Sequence, residues 1–328
     1  MKAYLIDKDA AGKATGRWAD LDPTQLDPGE LTLRVLYSSV NYKDALAATG
    51  TGKIIRRLPC VGGIDMVGEV IESADPRFKA GDTVIATSFD LGVAHHGGFA
   101  EQARVPAAWA VPLPEGLTAH ESMAIGTAGF TAGLAIVRME ENGLAPANGP
   151  IVVSGATGGV GSLAINMLAN LGYEVVALTR KTSEEPYLRE LGAARIQHAS
   201  EMNLEKVRPL EAAQWAGAVD NVGGAVLHWM LATMKQAGTV ASIGNAGSVE
   251  LHSTVFPFIL RGVSLLGIDS GYMGFPTRGK VWQRLATDLK PTQLERVCRT
   301  VDFADLAGTF DEVIAGRVRG RIVVRIGG

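Results

Sequence analysis

Ile151-Val-Val-Ser-Gly-Ala-Thr-Gly-Gly-Val-Gly161 runs into Ser162-Leu-Ala-Ile-Asn-Met-Leu-Ala-Asn-Leu-Gly172 and then Glu174-Val-Val-Ala-Leu-Thr-Arg-Lys181. A short β-branched run leads in, and Gly155, Gly158 and Gly161 fall at every third position. The apolar stretch after them suits a helix packed between a sheet and other helices. Strand, glycine turn, helix and second strand, in that order, put a dinucleotide pyrophosphate on a helix N-terminus. There, free backbone N–H groups and the positive end of the helix dipole meet the anion. A glycine triplet alone also fits a surface turn; the flanking elements at the right spacing select the cofactor reading.

Outward from this unit the chain divides in two. Toward the C-terminus, strands are expected at 151–154, 174–178, 195–197, 218–221, 238–243 and 263–267, with helices such as 185–191 and 225–234 between them. That alternation argues for an α/β fold with a doubly wound parallel sheet. Toward the N-terminus, short runs at 3–6, 31–38, 67–72, 83–87 and 100–105 lie between turn signals such as Asp27-Pro-Gly29 and Lys79-Ala-Gly-Asp82. This spacing argues for a small barrel or sandwich. Residues 118–140 read as helical with an interruption around Gly126-Thr-Ala-Gly129, and the last strand, Arg321-Ile-Val-Val-Arg-Ile326, would rejoin the first domain. The expected division is 1–124 with 268–328 against 125–267.

The 328 residues are 47% hydrophobic and 20% charged, enough for about two globular domains. The net charge is -3 and basic runs are short, which speaks against a nucleic-acid or membrane surface. No segment reads as the ~18 to 20 apolar residues of a bilayer span. Met1-Lys-Ala-Tyr-Leu-Ile-Asp-Lys-Asp9 carries charge inside its apolar run and reads as a strand, not a signal peptide. Cys60 and Cys298 form no metal spacing and fit a reducing cytoplasm.

The place after the second strand chooses the cofactor. A carboxylate there accepts the ribose 2′-OH of NAD. Here it holds Thr179, Arg180 and Lys181, two cations and a hydroxyl that suit a 2′-phosphate. The expectation is NADPH rather than NADH, against the alternative that the pair is an ordinary solvated loop. Glu184 and Glu185 are expected in the first turn of the next helix.

Over nearly its whole length the chain resembles a medium-chain dehydrogenase/reductase. The likeness is carried by Gly81-Asp-Thr-Val84, Gly126-Thr-Ala-Gly-Phe-Thr131 and Gly320-Arg-Ile-Val323. Ser39-Val-Asn-Tyr-Lys-Asp-Ala45, Gly63-Ile-Asp65, His96-Gly-Gly-Phe-Ala-Glu-Gln102 and Gly267-Ile-Asp-Ser270 narrow it. Those stretches resemble the quinone-oxidoreductase-like branch that contains NADPH-dependent acryloyl-CoA reductases. The resemblance implies a GroES-like barrel domain beside a Rossmann domain, and a homodimer. Zinc enzymes of this superfamily carry Cys where this chain has Asn41 and Gly-His-Glu where it has Gly63, Ile64 and Asp65. Four closely spaced cysteines are also missing between 80 and 120, so no metal is expected, and His95 and His96 read as loop residues.

The resemblance also implies roles. Asn41 and Tyr42 would lie near the nicotinamide ribose and Thr127 near the ring. Thr157, Gly158, Gly159 and Val160 would hold the pyrophosphate. Asn245, Ala246 and Gly247, then Ile268, Asp269 and Ser270, would line the nicotinamide, with Arg321 reaching the cofactor from the last strand. Hydride would pass to the β-carbon of an enoyl thioester, with charge developing on the thioester oxygen and a proton reaching the α-carbon. Tyr42 is the candidate donor on chemistry, against a role limited to packing on the cofactor. Lys53, Arg56 and Arg57 would hold coenzyme A phosphates or form a solvated turn. Quinone or enone reduction on the same scaffold and non-catalytic NADPH binding are the other readings.

Overall fold

The computed structural model describes residues 1–327. The chain begins with β1 (Lys2–Lys8), β2 (Ala14–Asp20), β3 (Leu31–Val40), α1 (Tyr42–Thr49), β4 (Cys60–Val61), β5 (Asp65–Ser73), β6 (Thr83–Thr87), β7 (Gln102–Val105) and β8 (Ala110–Pro112). It continues through α2 (Ala119–Glu141), β9 (Ile151–Val153), α3 (Gly159–Asn170), β10 (Val175–Thr179), α4 (Glu185–Glu190) and β11 (Arg195–His198). Then follow β12 (Trp215–Asp220), α5 (Gly224–Thr233), β13 (Met234–Ser242), α6 (Phe256–Arg261) and β14 (Ser264–Gly267). It ends with α7 (Thr277–Leu285), α8 (Leu294–Val297), β15 (Cys298–Asp302), α9 (Leu306–Ile314) and β16 (Arg321–Arg325).

Two compact units form. The first holds residues 1–127, 271–279 and 294–327; the second holds 128–270 and 280–293. Residues 280–293 group with the second unit, whereas the expected division puts 268–328 with the barrel.

In the first unit a sheet of order β15-β16-β3-β5-β6-β8, with β7 also on β3, packs with a smaller β2-β1-β4 sheet. The last strand does return here: β16 pairs antiparallel with β3, Ile322 opposite Val40. Its core includes Leu31, Leu33, Val35, Met66, Val84 and Ala103, alternate residues of strands with one face inward.

In the second unit the sheet runs β11-β10-β9-β12-β13-β14, all parallel. The order reverses between β9 and β12, the switch point at which open α/β sheets bind ligands. β9, β10 and β12 are buried throughout, as unbroken apolar runs covered on both faces should be.

The structure adds elements the pattern did not show. β2 pairs with β1 along its whole length, Lys2 opposite Asp20 to Lys8 opposite Ala14. Its Ala-Thr-Gly-Arg-Trp-Ala-Asp is half exposed, so no apolar stripe marked it. β15 is likewise mostly exposed. Against expectation, one helix reaches the length and apolar composition of a bilayer span. α2 has 23 residues and passes on length and composition, with 89% of the relevant window buried inside the protein. It is a core helix: Met123, Ala124, Ile125, Phe130, Leu134 and Ile136 are all inaccessible.

Candidate functional site

The glycine turn has the geometry its spacing implies. Gly155 adopts φ 58°, in the left-handed region that favours glycine. Any side chain at Gly161 would lie 2.3 Å from the Gly155 carbonyl oxygen, so only glycine lets α3 approach the turn this closely. Gly155 and Gly158 are exposed at the start of α3, and Thr157 is buried beside them. This cradle of bare backbone at the head of a 12-residue helix fits a pyrophosphate.

The other cofactor residues expected in the second unit lie at the carboxyl edge of its sheet. Thr179 ends β10, its hydroxyl accepting from the Lys181 N–H at 3.0 Å, and Arg180 and Lys181 are exposed just beyond. Asn245, Ala246 and Gly247 are exposed beyond β13, and Ile268, Asp269 and Ser270 follow β14. Ser270 Oγ accepts from Thr131 Oγ1 at 2.7 Å. Glu185 opens α4 as expected, whereas Glu184 stands just before it, at the end of a 3-10 turn.

Sequence reasoning missed Asp220 and Asn221 at the switch point. Ser154 Oγ donates to Asp220 Oδ1 (2.9 Å), and Asn221 Nδ2 donates to the Ser154 carbonyl (2.7 Å). Burial pushes the Asp220 carboxyl up, against the N–H groups of Val222 and Gly223. Asn221 Oδ1 is buried without a hydrogen-bond partner among the described residues, an acceptor beside the glycine turn. Its place one residue past a strand end facing the turn was the available signal.

In the first unit Asn41, Thr127 and Arg321 converge on one carboxylate, Asp65, which is fully buried. Asp65 Oδ2 accepts from Ser39 Oγ (2.7 Å), Asn41 Nδ2 (2.8 Å) and the Thr127 N–H (2.9 Å). Its Oδ1 accepts from Thr127 Oγ1 at 2.5 Å. Arg321, 3% exposed, lies 3.5 Å from Oδ2. It donates to Asn41 Oδ1 (2.9 Å), Ser39 Oγ (2.7 Å) and the carbonyls of Val40 and Ala124. Burial lowers its pKa, with the Asp65 and Asp44 charges opposing. Gly126, at φ 50°, breaks α2 over this cluster; a Cβ there would meet Arg321, Asp65 and Ser39 within 2.8 Å.

Asp44 lies in the same cluster. It accepts from the Asn41 and Ile64 N–H groups at 2.8 and 3.0 Å. Burial, reinforced by the charge on Asp65, pushes its carboxyl up to about 7. Asn41 stands just before α1 and Tyr42 is the first residue in it, its side chain 57% exposed.

The three basic residues are not brought together as free cations. Arg57 forms a two-pronged pair with Asp27 at 2.5 Å, and Arg56 pairs with Asp90 and donates to the Tyr272 hydroxyl at 2.8 Å. Lys53 is exposed. The donor set does not fit a zinc ion: among the described residues no three His, Cys, Asp or Glu side chains cluster to hold a metal. His95 and His96 are engaged elsewhere. His95 Nε2 lies 3.1 Å from the Pro28 carbonyl, and His96 Nδ1 accepts from the Val61 N–H at 2.9 Å. Cys60 is buried, which pushes its thiol up to about 12.

Comparison with known proteins gives the family. Residues 27–115 match the alcohol dehydrogenase GroES-like domain, and 159–287 match the family called zinc-binding dehydrogenase. The chain is 47% identical over 325 residues, 99% of its length and 98% of the relative's, to acrylyl-CoA reductase AcuI of Ruegeria pomeroyi. It is 46% identical over 295 residues (90% of this chain, 89% of the relative) to the putative quinone oxidoreductase YhfP of Bacillus subtilis. The crystal structure of YhfP with NAD bound matches at TM-score 0.96, 43% identity and 99% and 98% coverage. The yhdH oxidoreductase of Salmonella enterica, in complex with NADP, matches at TM-score 0.97 and 44% identity, with both chains fully covered. The chain belongs to the medium-chain dehydrogenase/reductase family of oxidoreductases, in its quinone-oxidoreductase-like branch.

Proposed function

We propose that the protein is a zinc-independent, NADPH-dependent reductase of the carbon–carbon double bond of acryloyl-CoA, giving propionyl-CoA, or of a close short enoyl-CoA. The observation that carries the substrate is the 47% identity to an acrylyl-CoA reductase over 99% of the chain. For the cofactor, the support is Thr179, Arg180 and Lys181 at the end of β10, together with the NADP complex of the 44% identical relative. The NAD complex of YhfP is the counter-case, and the two cations weigh against it here.

NADPH supplies a hydride when bound. On this reading the second unit is its binding domain. Thr157, Gly158, Gly159 and Val160 present backbone to the pyrophosphate, and Thr179, Arg180 and Lys181 read the 2′-phosphate. Asn245, Ala246, Gly247, Ile268, Asp269 and Ser270 line the nicotinamide. In the first unit Asn41 and Thr127 are held toward the cofactor by Asp65 and Arg321. The exposed Tyr42 phenol donates a hydrogen bond to the thioester oxygen as charge develops there, then a proton. Lys53, with Arg56 and Arg57 once their carboxylate partners are displaced, meets the coenzyme A phosphates. The protein works in the cytoplasm as a homodimer.

The test follows NADPH absorbance with acryloyl-CoA, then with a quinone. Turnover of acryloyl-CoA, lowered about 100-fold or more in Tyr42→Phe, supports the reading. Quinone turnover without acryloyl-CoA turnover overturns it in favour of the second reading, which the 46% identity to YhfP supports.

A further inference from the structure

Three connecting segments meet at the carboxyl edge of the second unit's sheet: the glycine turn after β9, residues 221–224 after β12 and residues 243–248 after β13. Asp220, the last residue of β12 and fully buried, ties the first two together. Its Oδ1 accepts from Ser154 Oγ (2.9 Å) and the Val222 N–H (3.1 Å), and its Oδ2 accepts from the Gly223 N–H (2.9 Å). Ser154 Oγ in turn accepts from the Asn221 N–H at 2.9 Å. The 221–223 turn is thus wrapped around one carboxylate, and that carboxylate is fixed to the residue that opens the glycine turn.

The third segment hangs on the same turn. The Asp220 carbonyl accepts from the N–H groups of Ile243 (2.9 Å) and Gly244 (3.2 Å), and the Val222 carbonyl from those of Gly247 (2.8 Å) and Ser248 (3.3 Å). Gly223 also pairs with Ser248 as a parallel bridge. The fit leaves no slack: a Cβ at Gly244 would lie 2.5 Å from the Asn221 carbonyl oxygen, and one at Gly223 2.4 Å from that of Ser248. Asn245, Ala246 and Gly247 therefore take their place from the 221–223 turn, and the turn takes its shape from Asp220. A carboxylate does this where an amide cannot. Asparagine has one acceptor oxygen and one NH2, so either way round its NH2 faces an N–H donor, of Val222 on one side or Gly223 on the other. The glycine turn has a separate anchor, since the Ser154 N–H donates to the Val219 carbonyl at 3.0 Å.

We propose that Asp220 is a positioning residue for the nicotinamide half of the cofactor, holding residues 245–247 in register with the glycine turn that takes the pyrophosphate. This rests on the reading that the second unit binds a dinucleotide with those residues along its nicotinamide half. The two halves of a bound dinucleotide lie on opposite sides of the switch point. β12 and β13 stand on one side of it, and β10, which carries Thr179, Arg180 and Lys181 at its end, stands on the other. Loosening the Asp220 turn therefore costs contacts to one half of the cofactor and spares the adenosine half, which is read from β10.

The test compares Kd for NADPH and for adenosine 2′,5′-bisphosphate, its adenosine half alone, by calorimetry in the wild type, Asp220→Asn and Gly244→Ala, with no acceptor present. Asp220→Asn is expected to weaken NADPH about tenfold while the bisphosphate changes less than about twofold. Gly244→Ala, which pushes the 243–248 segment off the Asn221 carbonyl and leaves Asp220 untouched, is expected to show the same selectivity. Equal weakening of both ligands, the signature of general damage to the fold, overturns the proposal; so does no change of either in folded protein. If Asp220→Asn does not fold by circular dichroism, Gly244→Ala decides the matter. A wild type that prefers NADH to NADPH would end the 2′-phosphate reading alone: the ratio taken with NADH and AMP still decides this inference, because the nicotinamide half is the same.

Discussion

Gly126 shows how little space the buried cluster leaves. Its left-handed φ and the 2.5 to 2.8 Å approach of Arg321, Asp65 and Ser39 exclude any side chain. Gly126→Ala is expected to destabilise the protein by roughly 2–4 kcal/mol, measured by urea unfolding, through strain and overpacking together. Asp44 sets a pH dependence. Its carboxyl titrates at its ordinary 3.8 in the unfolded chain and at about 7 in the fold. Between these values the folded protein holds the extra proton. The contribution is therefore full below about 3.8 and is lost as pH rises through about 7. Unfolding free energy measured across that window should fall with pH more steeply in the wild type than in Asp44→Asn. Parallel curves would refute this. The interruption of the helix at Gly126 was legible, and the family resemblance singled out Asn41, Thr127 and Arg321; that Ser39, Asn41, Thr127 and Arg321, scattered over some 280 positions, meet at the one carboxylate of Asp65 was not, because no local pattern announces it.

At the scale of elements, legibility followed burial. β9, β10 and β12 are covered on both faces, so their apolar runs stand out, and the expected and observed bounds differ by a few residues. β2 and β15 carry mixed, exposed residues, and only pairing with β1 and β16 makes them strands. The end of β10 carries a prediction of its own. Arg180 and Lys181 are exposed there, clear of the sheet core. Replacing both with alanine should weaken NADPH by about 10- to 100-fold, one to two charge-assisted hydrogen bonds to phosphate, and leave NADH nearly unchanged. Equal weakening in a binding titration would show that the pair does not read the 2′-phosphate.

For the whole molecule, the second unit's sheet ends in β14, whose outer edge has no neighbouring strand among the described residues. Val255, Phe256, Ile259 and Leu260 stand exposed just before it, the last two at 68% and 56%. An open apolar edge of this kind is a liability in a lone chain. The proposed homodimer covers it. Ile259→Glu with Leu260→Glu should shift the mass in light scattering from dimer to monomer, leaving the fold intact by circular dichroism; an unchanged mass would place the interface elsewhere.

The cofactor unit can be read from the order of residues alone, because strand, turn, helix and strand are consecutive and each is specified by residues only a few positions apart. Gly155, Gly158 and Gly161 needed no distant partner to be read. The resemblance to the family likewise needed only single positions: Asn41, Ile64 and Asp65 stand where its zinc enzymes carry Cys and His-Glu. Long-range packing alone assembles the Asp65 cluster and pairs Arg56 and Arg57 with carboxylates. Hydrogen-bond polarity and burial depend on which distant segments meet. Those meetings follow from the packing of whole sheets, not from any stretch of chain read by itself.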